Sequence, residues 1–230
     1  MSIKNRNIRQ YAVIGLGRFG TAITKALYGA GKDVLAIDVS EEKTLSVREY
    51  STHAVTADAS EPNVLKELGI HNFDVVIVAV SQNMQANILI TMMCRELGVK
   101  YIIAKAQNRI HKTVLEKIGA DMVIIPEEDM AAKLATTLLN PALGDLMELA
   151  DNYCIAETGI PKSWNGMALK DLNIRSRFKI NLLMIKRGQE VLSPPAGDTV
   201  LMTEDILISG GKNEDIIKFS EKISHLSKDD

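Results

Sequence analysis

The sequence predicts an α/β chain: a Rossmann-like doubly wound parallel sheet followed by a small α+β subdomain. Three observations carry this prediction. Short β-branched runs alternate with stretches of helical spacing through the first half, and a glycine loop, GLGRFG, directly follows the first of those runs. Beyond residue 126 the rhythm changes to shorter strands that alternate apolar and polar residues.

The runs are YAVIG (11–15), DVLAID (33–38), HAVTA (53–57), FDVVIVAV (73–80), KYIIAKA (100–106) and DMVIIP (121–126). Nearly continuous Val, Ile and Ala mark strands buried on both faces, as a parallel sheet covered by helices requires. Between them Ile23, Leu27 and Ala30, or Ile88, Met92 and Leu97, recur at helical spacing. EEDMAAKLATTLL (127–139) predicts a helix with Met130, Leu134 and Leu138 on one face, stopped by Asn140-Pro141. That face suits a dimer seam and an intrachain core equally. LGDLMELA (143–150) reads as a further helical turn or two. Strand candidates follow at 152–160, 180–188, 189–193 and 205–210, then a terminal helix near 213–224. The division expected is a Rossmann-type domain over 1–140, a helical connector over 141–150 and a C-terminal subdomain over 151–230.

Composition narrows the function classes. The 230 residues carry 27 basic and 29 acidic side chains, a formal charge of -2, without the basic excess that nucleic-acid binding needs. No apolar run approaches the length of a membrane span, and the N-terminal segment lacks a signal-type apolar stretch, so a cytoplasmic protein is expected. Cys94 and Cys154 stand far apart in apolar surroundings and read as small buried residues of a reducing compartment.

The chemistry concentrates in the glycine loop. Gly15, Gly17 and Gly20, placed between a strand and a helix, let the backbone approach a phosphate while the helix N-terminus offers unpaired N–H groups. Asp38, ending the second strand, suits the hydroxyls of an adenosine ribose and argues against a 2′-phosphate. Asp58 faces either the adenine side of the same cleft or its own turn. Arg18 either pairs with a terminal phosphate or is a solvated arginine on a first helical turn. The four histidines, His53, His71, His111 and His225, occur singly without an acidic partner. The expectation is a site that binds rather than reacts, with an NAD(H)-dependent oxidoreductase as the rival reading.

Residues 11–20, VLAIDVSEEK (34–43), THAVTADAS (52–60), NFDVVIVAV (72–80), AKAQN (104–108), VLEKIGAD (114–121), PEEDMA (126–131) and LKDLNIRSRFKINLLMIKRG (169–188) with the following SPP together carry a resemblance. The chain resembles the cytoplasmic regulatory subunits of bacterial K+ uptake systems, the Ktr/Trk family of RCK (regulator of K+ conductance) domain proteins, and within it the Ktr branch.

That resemblance implies a gating subunit, not an enzyme, with ATP or ADP in the N-terminal domain and NAD or NADH as the alternative ligand; a Trk-type NAD sensor is the variant reading. The implied nucleotide contacts are Gly15, Gly17, Arg18, Phe19, Gly20, Asp38, Asp58 and Lys105, with Arg18 on the outer phosphate across a dimer. Glu127 is the implied ligand of a divalent or monovalent cation between subunits, although a carboxylate in a first helical turn also serves the macrodipole unaided. Cyclic di-AMP is the ligand implied for the C-terminal subdomain, at Asn173, Ile174, Arg175, Ile180 and Pro194. SRFKI at 176–180 departs from the family's commoner wording there. The partners implied are a membrane-embedded K+ transporter subunit, which would hold the protein peripherally at the membrane, and further copies forming homodimers and an octameric ring.

Overall fold

The computed structural model describes residues 8–139, 143–150 and 152–229. They form two compact units that divide between Asp129 and Met130.

In the first unit strands and helices alternate: β1 (Gln10–Ile14), α1 (Arg18–Gly29), β2 (Asp33–Asp38), α2 (Glu41–Ser46), β3 (His53–Thr56), α3 (Val64–Glu67), β4 (Val75–Val78), α4 (Met84–Glu96), β5 (Ile102–Lys105), α5 (Arg109–Lys117) and β6 (Met122–Ile124). The sheet is six-stranded in the order β3-β2-β1-β4-β5-β6, with every pairing parallel. Successive strands run outward from β1 to β3, and the chain then returns to pair β4 with β1. The order therefore reverses beside β1, where doubly wound folds bind their ligands.

Burial follows the strand period of two. Ala12, Ile14, Leu35, Ile37, Val76 and Val78 enter one core layer with Ile90 and Cys94 of α4 and Leu115 of α5. Their neighbours Val13, Val34, Ala36, Val75 and Ile77 enter the opposite layer, against which Phe19, Ile23 and Leu27 of α1 pack. Both faces are thus covered, which explains why the runs are continuous rather than alternating. Cys94 and Cys154 are buried and are not joined in a disulfide, and burial pushes the Cys94 thiol up to about 12.

Helix α6 (Pro126–Leu139) crosses the division, and none of its residues is buried. In the second unit a five-stranded sheet has the order β10-β9-β11-β8-β7. Its elements in chain order are β7 (Leu143–Ala150), β8 (Tyr153–Gly159), α7 (Leu169–Leu172), α8 (Ile174–Phe178), β9 (Asn181–Arg187), β10 (Glu190–Leu192), β11 (Ile206–Lys212) and α9 (Asn213–Asp229). The described pairings are antiparallel. Ile216, Phe219 and Ile223 of α9 close a core with Trp164, Leu172, Ile174, Ile180, Ile185 and Leu207. The Phe178 ring meets Phe219 edge-on at 4.9 Å, and Trp164 lies 6.2 Å from Phe219.

One expected element changes type. LGDLMELA, read as helical, is strand β7, paired antiparallel to β8 from Leu143 opposite Thr158 to Ala150 opposite Tyr153. Eight residues are too few for the helical spacing of its leucines to outweigh a sheet edge offering backbone partners. The helix stop expected at Asn140-Pro141, and with it the start of the connector, lies outside the described residues.

Candidate functional site

A cleft of about 1110 Å3 opens at the C-terminal ends of β1, β2, β3 and β4. Its floor is the glycine loop. Gly15 has a φ of +96°, and a Cβ there would lie 2.7 Å from the Val80 nitrogen, so no other residue fits without moving β4's extension. A Cβ on Gly20 would collide with the Gly15 carbonyl oxygen, so this glycine lets α1 pack tightly on the loop. Gly17 differs: a Cβ there would meet nothing within 4 Å. Its missing side chain leaves room on the cleft side, where a phosphate would approach the backbone. Gly17 caps α1 without a side-chain hydrogen bond, and the first turn of α1 contains no acid. The helix start is therefore free to face an anion.

Arg18, Thr21, Ala22 and Lys25 bring one face of α1 along the cleft wall. Across from them Asp38 ends β2, almost fully buried at 7% exposure. Its Oδ2 accepts the Leu16 N–H at 2.6 Å and its Oδ1 the Ser40 N–H at 2.9 Å. Lys43 places its Nζ 3.4 Å from each oxygen. Asp58 also lines the cleft. The Ser60 hydroxyl at 2.6 Å and the Ser60 N–H at 2.9 Å both donate to its Oδ1, and these two bonds, the hydroxyl's first, hold its carboxyl below the ordinary range. On the far side of β1 the lining continues through Val80, Ser81, Gln82 and Asn83. Asn83 caps α4 by accepting the Ala86 N–H at 3.0 Å. Asn87, one turn on, donates from Nδ2 to the carbonyls of Val80 at 2.6 Å and Lys105 at 3.1 Å, tying the ends of β4 and β5 together.

Of the residues singled out from sequence, Gly15, Gly17, Arg18, Asp38 and Asp58 come together in this cleft. Phe19 packs its ring against the core under α1 instead. Lys105 and Glu127 pair with each other, Nζ to Oε1 at 2.6 Å, outside the cleft lining. The Lys105 hydrogen bond and the Glu127 N–H lower the Glu127 carboxyl below its usual range against slight burial, and the charges of Lys105 and Arg18 add to the effect. Among the described residues no three His, Cys, Asp or Glu side chains group to hold a metal ion. Glu127 in one chain is a single carboxylate already engaged by a lysine, which does not by itself fit a bound cation. None of the four histidines lines the cleft; His111 is buried in α5, where its Nδ1 accepts the Gln107 N–H at 3.3 Å and burial lowers its pKa.

In the second unit Ile174 and Ile180 are core residues at 6% and 0% exposure, whereas Asn173, Arg175 and Pro194 are exposed. Asn173 takes a left-handed conformation between α7 and α8, φ 47°. Sequence reasoning missed two lysines of the cleft, Lys25 and Lys43. Lys25 was readable, since it lies seven residues after Arg18 and therefore on the same helical face. Lys43 carried no such signal.

Comparison with known proteins adds the family. Residues 11–126 match the TrkA-N domain and residues 159–224 the TrkA-C domain. The chain is 43% identical to Ktr system potassium uptake protein C of Bacillus subtilis (strain 168), over 94% of this chain and 98% of that protein. It is 42% identical to Ktr system potassium uptake protein A of the same organism, over 96% and 98%. Among solved structures the GsuK RCK domain superposes with a TM-score of 0.62 at 18% identity, over 94% of this chain and 48% of that longer one. At that identity the likeness is one of fold. No described helix is long and apolar enough to cross a membrane.

Proposed function

The chain belongs to the family of Ktr system potassium uptake proteins, built from a TrkA-N and a TrkA-C domain, and from that premise we propose that it is a cytoplasmic gating subunit whose glycine-loop cleft senses ATP and ADP. The observation that carries this reading is the placing of Arg18 at the start of α1, on the wall of a cleft whose opposite side holds Asp38 and Asp58. An adenosine ribose at Asp38 sends its phosphates toward Gly17 and the α1 N-terminus, and the outermost phosphate toward an Arg18 guanidinium, which the family resemblance implies is reached across a dimer. The titratable groups of the described lining, Asp38 and Asp58 with Lys25 and Lys43, are read as binding groups for the sugar and the phosphates, the two carboxylates being already engaged by backbone N–H groups. The output of binding is a change of shape.

One or two charge-assisted contacts at Arg18 distinguish ATP from ADP by about 1.5–3 kcal/mol per site. Moving a two-state assembly from mostly closed to mostly open takes about 5.5 kcal/mol. Several copies acting together meet that requirement, which supports homodimers arranged in a ring on a membrane-embedded K+ transporter subunit, with α6 as the dimer seam. Met130, Leu134 and Leu138 are 65%, 56% and 69% exposed, which favours the seam over an intrachain core. A cation at Glu127 belongs to such a dimer, where a second copy adds ligands. Cyclic di-AMP in the second unit would use the exposed Asn173, Arg175 and Pro194.

Titration calorimetry tests the central reading. Arg18→Ala weakens ATP by about tenfold or more and ADP by less; equal losses for the two nucleotides would remove the sensing role. The cleft also continues past β1 to Ser81–Asn83, which favours NAD or NADH as a second ligand. Competition between NADH and ATP for the purified chain separates the two.

A further inference from the structure

We propose that Lys43 determines specificity at the ribose end of the cleft, acting as a displaceable counterion on the edge of Asp38 that a ribose diol must use. The inference rests on the nucleotide reading above.

The Asp38 carboxylate is fixed from within. Leu16 N–H and Ser40 N–H each take one oxygen, at 2.6 and 2.9 Å, and the side chain is only 5% exposed. A carboxylate has about four acceptor positions, so both oxygens keep one for a further donor. Lys43 stands equally close to the two: its Nζ is 3.4 Å from both Oδ1 and Oδ2. This is well beyond the ~2.7–2.9 Å of a tight charge-assisted bond, and the lysine side chain is 42% exposed. One partner is rigid and buried, and the other is loosely held and half in solvent.

A ribose whose 2′ and 3′ hydroxyls donate to Asp38 requires the same two oxygens from the same side. The diol and the ammonium therefore compete, and Lys43 must swing outward for the nucleotide to seat. Both side chains line the cleft, with Val39 between them in sequence. Once displaced, the ammonium stands beside the 2′ and 3′ edge of the sugar. A phosphate carried on that edge then meets a cation before it meets the carboxylate, which softens the repulsion expected of Asp38 alone. Lys43 thus weakens ligands with a free diol and favours those with an anionic substituent on it.

The test is calorimetric titration of the full chain with ADP and with adenosine 2′,5′-bisphosphate, for wild type, K43Q and K43R. We expect K43Q to bind ADP about two- to fivefold more tightly, the strength of a partly exposed ion pair, and the bisphosphate more weakly by a similar factor. K43R should stay within about twofold of wild type for both ligands. Removing a positive charge from an anion site ordinarily weakens every anionic ligand, so K43Q binding ADP equally or less tightly overturns the proposal. Failure of the nucleotide reading looks different: neither wild type nor K43Q takes up ADP, and the proposal falls with its premise.

Discussion

Gly15, Gly17 and Gly20 stand within six residues and carry three different constraints. A side chain at Gly20 strikes the Gly15 carbonyl, and one at Gly15 is excluded both by the Val80 backbone and by a positive φ. One at Gly17 enters open space. Gly20→Ala should therefore destabilise the first unit by about 3 kcal/mol, read by thermal unfolding. Gly17→Ala should cost about 1 kcal/mol or less of stability, as a poorer helix cap, yet weaken ADP by about tenfold or more in calorimetry, because the methyl group occupies the phosphate's approach. A variant at Gly17 that binds ADP normally would show that the phosphate lies elsewhere. The spacing of the three glycines and the acid at Asp38 was legible in the sequence. What was not legible is the division of labour among them, since that depends on which backbone β4 brings opposite the loop. Lys43 escaped for the same reason: its role arises from a turn that folds it back onto Asp38, which no periodicity records.

At the level of single elements, the inner strands β1, β2, β4 and β5 were readable because they are buried on both sides and therefore largely apolar, whereas the partly exposed edge strands β3 and β6 were readable from their place in the alternation. β7 was not. In the sequence Leu143, Leu146 and Met147 fit a helical spacing, while Met147 and Leu149 fit the alternation of a strand, and the choice between them was made by β8 as a partner. Helix α6 shows the opposite case, a correct helix whose destination its periodicity left undecided. If its exposed stripe seats a second copy, Leu134→Asp should lower the assembly state in sedimentation velocity while leaving the melting temperature of the chain within about 2 °C, as for a surface substitution. In the second sheet Arg187 of β9 grips Asp205 with two hydrogen bonds, 2.7 and 2.8 Å, and the Met202 N–H adds a third at 2.9 Å. Burial raises the pKa of Asp205, but these bonds outweigh it and the carboxyl ends below its ordinary value. A carboxyl depressed on folding contributes stability that is full above the unfolded value of about 3.9 and is lost as pH falls through the lower folded one. Denaturant unfolding should show this contribution constant from pH 7 to about 5 and declining below about 4. Asp205→Asn should remove that dependence and cost about 3 kcal/mol at pH 7, since it strands a partly buried guanidinium.

For the whole molecule, a net charge of -2 gives no long-range field that would select a partner, so recognition has to come from surfaces and from the cleft. The size of a single cleft's discrimination also bears on the assembly. With one switch per chain worth less than the roughly 5.5 kcal/mol that full gating takes, an isolated chain should show graded binding, and steepness should appear only with assembly. The chain's single tryptophan, Trp164, lies in the second unit, 5% exposed against Phe219. Its indole is far in sequence from the glycine loop and has no part in the cleft lining. Tryptophan emission, excited to the red of the tyrosine band, is therefore a spectroscopic witness confined to one half of the chain. A shift in that light on adding ADP would be a signal crossing between the halves, obtained without a dye, a label or a substitution.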